Sequence, residues 1–171
     1  MPNDDVRQLK PYTATLTGNF GSISFRALTD EAPCTTNSFQ HLAVQRYFDG
    51  TQCHRLTTRG IYVLQCGDPS GTGSGGPGYR YPDENLADPS LKAGIYPAGT
   101  VAMANAGSNT NGSQFFLVYK DSPLPARYTP FGRISVGMDA LTEIALAGTQ
   151  SFGTDGRPRQ EVLLRTVRIA R

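Results

Sequence analysis

The chain has no tryptophan, two histidines and three cysteines in 171 residues. The cysteines, at 34, 53 and 66, are odd in number and show no CxxC spacing, which argues against a disulfide framework. Cys53, His54 and Cys66 fit no zinc spacing. Cys53 and Cys66 lie in apolar, strand-like runs and are expected to be buried free thiols. No apolar run approaches the ~20 residues of a membrane span, and Met1 to Lys10 lacks the apolar centre of a signal peptide. The chain therefore reads as soluble and cytoplasmic, or else as the extracytoplasmic domain of a longer anchored protein. A net charge of +2 is too small to argue for nucleic acid. The arginines at 157, 159, 165, 168 and 171 are spread out and expected to be solvated.

Chemical motifs are scarce as well. There is no G-x-S-x-G. His41 falls on a predicted helix and His54 in a strand, and both read as structural. Gly71–Gly76 (GTGSGG) matches G-x-G-x-x-G, but Pro77–Pro82 (PGYRYP) follows and cannot continue as the helix that a dinucleotide site needs. These glycines are expected to let a loop pass close to other backbone. Asp83-Glu84 is expected to be solvated, and Asn111–Ser113 (NGS), a formal glycosylation acceptor, reads as a loop.

What is present suits a folded domain: 38% hydrophobic and 18% charged residues. Residues 1–12 are polar and read as a flexible N-terminal arm before a single domain at 13–171. Thr13–Thr17 and Ser22–Ala27 alternate apolar and polar residues around a Gly-flanked turn, a hairpin signature. From Pro33, the spacing of Phe39, Leu42, Ala43 and Arg46 predicts a helix. Strands are expected at 51–56, 61–66, 100–103, 114–119, 131–136 and 162–169, and a short helix at 137–147. Residues 67–99 and 121–130 read as loops, and a loop as long as the first is usually functional. The strands do not alternate with helices, so antiparallel pairing with two accessory helices fits best, and closure into a barrel would remove exposed edges.

Met103–Leu117 (MANAGSNTNGSQFFL) has no acid, base, Cys or His. Small residues and amides lie beside two phenylalanines, a surface suited to an extended peptide rather than to attacking a bond. Arg55 stands between apolar strand residues and needs a partner, either an acid across the sheet or a substrate carbonyl.

Together with Ala32–Phe39 (APCTTNSF), Tyr47–Gly50 (YFDG), His54-Arg55, Leu64–Asp68 (LQCGD), Gly71–Gly73 (GTG), Asp83–Asn85 (DEN) and Phe131-Gly132, this block resembles the cyclophilin family of peptidyl-prolyl cis/trans isomerases. Tyr96–Val101 (YPAGTV) and Val118–Pro125 (VYKDSPLP) are similar to actinobacterial cyclophilins of the B type. The resemblance implies an all-β dominated fold: a closed eight-stranded antiparallel β-barrel with two capping α-helices. It implies Arg55 as the catalytic donor, oriented by Gln65. It places substrate contacts at Tyr62, Val63, Gly71, Ala104, Asn105, Ala106, Gln114, Phe116, Leu124 and Tyr128. No cofactor is implied. The implied partners are proline-containing peptides and folding proteins, with the chain a monomer. Four positions depart from the family pattern. Val63 stands where methionine is usual, Cys53 where an aromatic is usual, Pro123 where many relatives carry tryptophan, and Tyr128 where histidine is usual. A cyclosporin-type cyclic peptide is expected to bind more weakly for want of the indole N–H.

Overall fold

The computed structural model describes residues 9–171. Residues 1–8 of the expected arm lie outside the described residues. Tyr12, at the arm's other end, is not loose: it is buried, and its hydroxyl donates to the Thr36 carbonyl at 2.8 Å.

Strands β1 (Thr13–Gly18) and β2 (Gly21–Ala27) form the expected hairpin. Alternation puts Ala14, Leu16, Ile23, Phe25 and Ala27 on one buried face. Helix α1 (Pro33–Val44) then lays Phe39, Leu42 and Ala43 on that face. It stops before Arg46, which adopts a left-handed backbone (φ 59°) and is exposed, so the expected helical face ends one turn early. Phe39 is the centre of an aromatic core. Its ring lies 5.0–5.5 Å from those of Phe25, Phe48, Phe115 and Phe131.

The N-terminus of α1 has no side-chain cap from Ala32. The Glu84 carboxylate supplies one from fifty residues away, accepting from the Cys34 and Thr35 N–H groups at 3.0 and 2.8 Å and from the Thr35 hydroxyl. A carboxylate there meets both the orphan donors and the positive helix end. Asp83 likewise accepts from Asn109 N–H and Asn111 Nδ2. The solvated reading of Asp83-Glu84 is thus corrected.

The remaining strands are β3 (Thr51–Gln52), β4 (Arg55–Thr57), β5 (Val63–Cys66), β6 (Ile95–Tyr96), β7 (Thr100–Met103), β8 (Phe115–Val118), β9 (Ser122–Pro123), β10 (Pro130–Val136), β11 (Asp155–Gly156) and β12 (Leu163–Ala170), with α2 (Met138–Ala147) after β10. A 3-10 turn, Pro89–Gly94, interrupts the long expected loop. The α2 helix buries Leu141 and Ile144 and starts at Gly137 (φ 94°). A side chain there would strike the Ser22 carbonyl and Ile23, so glycine is needed for both conformation and clearance.

Ten strands form one antiparallel sheet in the order β11-β4-β5-β8-β7-β10-β2-β1-β12-β3, and β6 pairs with β9 separately. The expected strand 51–56 is broken: β3 pairs with β12 while β4 pairs with β5. These strands stand near opposite ends of the sheet, yet only Cys53 and His54 separate them. Three residues of chain span about 10 Å, so the sheet curls until its ends approach. The outcome differs from the expected closed eight-stranded barrel. The fold is all-β dominated with two helices, but the curled sheet has ten strands, and β11 and β3 remain its two edges among the described residues.

The cysteine reading is corrected too. Cys53 and Cys66 are joined in a disulfide, with Cα atoms 4.0 Å apart. Antiparallel pairing of the flanking residues, Arg55 with Gln65 and Leu56 with Leu64, brings them together. A separation of 13 residues carries no motif that would announce this. Cys34 is exposed and outside the disulfide. No helix among the described residues is long and apolar enough to cross a membrane.

Candidate active site

Strand register assembles the site. Arg55 on β4 faces Gln65 on β5, Gln65 faces Phe116 on β8, and Phe116 faces Ala102 on β7. Residues in register point to the same side of a sheet, so these four form a row across four strands. The intervening Leu56, Leu64, Leu117 and Val101 point the other way, into the main core. Phe116 belongs to a second, smaller apolar cluster on the opposite face, with Val63, Leu91, Tyr96, Ala102 and Val118. Ile61, Ala104, Leu124 and Tyr128 pack against it. The Phe116 and Tyr128 rings meet edge-on at 5.5 Å. The Tyr96 hydroxyl donates to the Tyr128 carbonyl at 2.7 Å and so anchors that wall.

Beside this cluster lies a cavity of about 890 Å³. It is lined by Gln65, the glycine loop and the facing 104–106 and 110–114 segments. The sequence-derived residues therefore fall into two adjoining patches. Val63, Phe116, Leu124 and Tyr128 form the apolar one. Gln65, Asn105, Ala106 and Gln114 line the polar groove, and Ala104 belongs to both. Gly71 stands at the loop's far end, its carbonyl held by Arg157 Nη2 at 2.6 Å. Tyr62 is placed differently from its neighbours. Its ring stands edge-on to Tyr119 with Lys120 Nζ 4.7 Å from the ring centre, while Ile61 packs on the apolar cluster.

A chain of hydrogen bonds runs from Arg55 into the groove. Arg55 Nη1 donates to Gln65 Oε1 at 3.4 Å, and Gln65 Nε2 donates to Gln114 Oε1 at 2.8 Å. Gln114 Nε2 donates to the Gly73 and Gly75 carbonyls, both at 2.9 Å. The glycine loop is in turn wound around the fully buried Asp68. Its carboxylate accepts from the N–H groups of Ser70 (2.8 Å), Gly73 (2.7 Å) and Gly75 (3.0 Å) and from the Ser70 hydroxyl. Burial opposes ionisation of Asp68 and is the largest single influence. The hydrogen bonds from Ser70, Gly75 and Gly73 together outweigh it and hold the carboxyl down to about 2. The loop thus passes close to other backbone as expected, with an unanticipated acid as its hub. Asn105 Nδ2 donates to the Arg127 carbonyl at 2.7 Å, which fixes the 104–106 wall.

Arg55 also meets an acid. Asp155 on β11 takes its Nε and Nη2 donors at 2.8 and 2.7 Å. Those hydrogen bonds keep the guanidinium charged beyond its ordinary range and draw the Asp155 carboxyl below its own. Of the two partners expected for Arg55, the structure supplies the acid across the sheet, Asp155. Three of the five carboxy-terminal arginines are engaged rather than simply solvated: Arg157 on Gly71, Arg159 over the Phe152 ring, and Arg168 on Asp49. His54 turns away from Arg55 into the protein, close to Gly73, and its Nδ1 is buried without a hydrogen-bond partner. Burial is the main cause of its depressed basicity.

Sequence reasoning missed Asp68, Asp155, Tyr96 and Ile61 as supports of the site. Only Asp68 had a local signal, since an Asp followed by Pro-Ser-Gly is turn chemistry.

The family described as "Cyclophilin type peptidyl-prolyl cis-trans isomerase/CLD" matches residues 12–169. The chain is 50% identical over 164 residues to the "Probable peptidyl-prolyl cis-trans isomerase B" of Mycobacterium tuberculosis, covering 91% of this chain and 53% of that protein. It thus spans about half the length of that relative. It is 36% identical to the "Peptidyl-prolyl cis-trans isomerase B" of Streptomyces anulatus, covering 90% of this chain and 94% of that one. A crystal structure of a cyclophilin type peptidyl-prolyl cis-trans isomerase from Cryptosporidium parvum, in the presence of the dipeptide Ala-Pro, superposes with a TM-score of 0.77. That match has 29% identity and covers 93% of this chain and 99% of the other. With its row of Arg55, Gln65 and Phe116 beside a polar groove, the chain belongs to the cyclophilin-type peptidyl-prolyl cis-trans isomerase family.

Proposed function

We propose that the chain is a peptidyl-prolyl cis/trans isomerase, its residues 13–171 acting as one domain on Xaa-Pro bonds of peptides and folding proteins. The observation that carries this reading is the row that sets a charged donor, Arg55, beside the apolar Phe116 cluster. Amide resonance sets the barrier at roughly 18–20 kcal/mol, and uncatalysed exchange takes ~10–100 s. No atom leaves the substrate, so the enzyme need only bind the twisted amide better than either planar form. The Val63, Phe116, Leu124 and Tyr128 cluster holds the proline ring. The 104–106 wall receives the preceding residues as an extended segment. Tyr62 and Gly71 contribute from the rim. Arg55, oriented by Gln65, donates to the prolyl amide as its resonance is lost.

Arginine stays charged through the physiological range. The rate should therefore be flat from about pH 6.5 to 8.5, and a bell centred on neutrality would refute the mechanism. The direct test is a proline-isomerisation assay on Arg55→Ala. Loss of one charge-assisted hydrogen bond worth about 1.5–3 kcal/mol should lower kcat/KM about 10- to 100-fold, with peptide binding retained. An unchanged rate would overturn the role of Arg55. Absence of turnover in the unaltered protein would leave a peptide-binding module.

Pro123 supports weaker binding of cyclosporin-type peptides than in tryptophan-bearing relatives, because one indole donor is missing. We infer a monomer. Of the two compartments expected, the Cys53–Cys66 disulfide supports the extracytoplasmic one, since cytosolic thiols are kept reduced.

A further inference from the structure

Arg55 works from a strand whose outer edge is covered by a short, tightly tied segment. Strand β11 pairs with β4, matching Asp155 to Thr57 and Gly156 to Leu56. The Thr58 N–H extends the pairing to the Thr154 carbonyl at 2.9 Å. The segment is closed on itself by Gln150 N–H to the Arg157 carbonyl, Arg159 N–H to the Gly148 carbonyl and the Thr149 hydroxyl to the Gly153 carbonyl. Two residues of this brace reach the site from either side of Gly156. Asp155 grips Arg55, and Arg157 grips the Gly71 carbonyl.

A guanidinium has five N–H donors in one rigid plane. Asp155 takes two along the Nε–Nη2 edge, and Gln65 takes one on Nη1. The donors left for a substrate are the remaining N–H on Nη2 and the remaining N–H on Nη1, at the far end of the fork. Because the plane is rigid, holding one edge fixes where the other end points. Resting on the reading of Arg55 given above, we propose that Asp155 is a positioning residue for catalysis: its bidentate grip aims the free end of Arg55 at the prolyl amide. It touches no substrate and acts only through the arginine.

Exposure separates this role from a structural one. The Arg55 and Asp155 side chains are 42% and 53% exposed. A pair so open to water adds little to stability. Removing it should therefore show in the rate of the bound state and hardly at all in the melting temperature.

The experiment measures kcat and KM separately on an Xaa-Pro peptide for wild type, Asp155→Asn, Asp155→Ala and Arg55→Ala, with melting by circular dichroism. It also follows the Arg55 Nε–Hε signal by NMR. Asp155→Ala should lower kcat about 5- to 20-fold with KM within about twofold. Asp155→Asn, which keeps one acceptor, should fall between. Melting should move by less than about 2 °C, while the Nε–Hε signal shifts and exchanges faster. An unchanged kcat in Asp155→Ala beside an impaired Arg55→Ala would overturn the proposal and leave Arg55 as the donor. A raised kcat would make Asp155 a restraint instead and overturn it as well. A parallel loss of kcat and melting temperature would reduce Asp155 to a structural residue. A wild-type rate in Arg55→Ala would sink both readings.

Discussion

Replacing Asp68 by asparagine tests whether one buried carboxylate organises the groove. The side chain is fully buried, and both oxygens accept: Oδ1 from the Ser70 N–H and hydroxyl, Oδ2 from the N–H groups of Gly73 and Gly75. In Asp68→Asn an NH2 takes the place of one oxygen. If it stands at Oδ2, two backbone donors face two more donors. Leaving a buried N–H unsatisfied costs about 1–3 kcal/mol, so the pair costs about 2–6 kcal/mol before the loop relaxes. Proton linkage gives a second route to the magnitude. A carboxyl drawn from 3.8 to about 2, at about 1.36 kcal/mol per pH unit, represents about 2 kcal/mol at neutral pH. We expect a loss of about 2–4 kcal/mol.

The sign with pH follows from the lowered carboxyl. Its contribution is complete above the ordinary value near 4 and disappears as pH falls from about 4 towards 2. With no tryptophan in the chain, the assay is urea unfolding followed by far-ultraviolet circular dichroism, repeated from pH 7 to pH 2. Wild-type stability should drop across the acid segment, and the variant's should not drop there by the same amount. Activity should fall as well, because Gln114 rests on the carbonyls of the two glycines that Asp68 holds. A neutral-pH loss below about 1 kcal/mol, or parallel acid slopes in the two proteins, would refute the reasoning. Gly75→Ala should reproduce the effect, since an added methyl would run into the Asp68 carboxylate.

Reducing the Cys53–Cys66 disulfide, which closes a 13-residue separation, should lower the unfolding free energy by about 3 kcal/mol on the chain-entropy account; a change below about 1 kcal/mol in urea unfolding with and without reductant would contradict it. Glu84→Ala removes the only carboxylate on the α1 N-terminus among the described contacts and should cost about 1–2 kcal/mol, read as a lower urea midpoint; an unchanged midpoint would show that water replaces the cap. Phe39→Ala, at the centre of the aromatic core, should cost about 3–5 kcal/mol, and a loss under about 2 kcal/mol would mean that the core collapses into the space.

The sequence is legible wherever its information is local. Alternation places β1 and β2, and helical spacing places Phe39, Leu42 and Ala43 on the core face of α1. The Met103–Leu117 block, singled out for its amides and small residues, supplies Ala104, Asn105, Ala106 and Gln114 to the groove lining. The resemblance supplies Gln65 and Phe116, which the register sets in one row with Arg55. Errors arise where a residue's neighbour lies far along the chain. The strand at 51–56 looks continuous because alternation says nothing of a change in pairing partner. Ile61, which packs on the apolar cluster beside Tyr62, carries no local signal that would have singled it out.

By itself the sequence determined that this is a strand-rich domain with an amide and aromatic surface that carries no acid–base group. That much depends on residue chemistry and on periods of two and 3.6. Only the tertiary structure decided which groups serve the site. The Cys53–Cys66 bond spans 13 residues, the Glu84 cap of α1 about 50, and the Asp155 grip on Arg55 100. The first and last come from the pairing of β4 with β5 and with β11, and the Glu84 cap from a loop folded back onto α1. Strand order and register are long-range outcomes of burying a common core, and no local pattern encodes them.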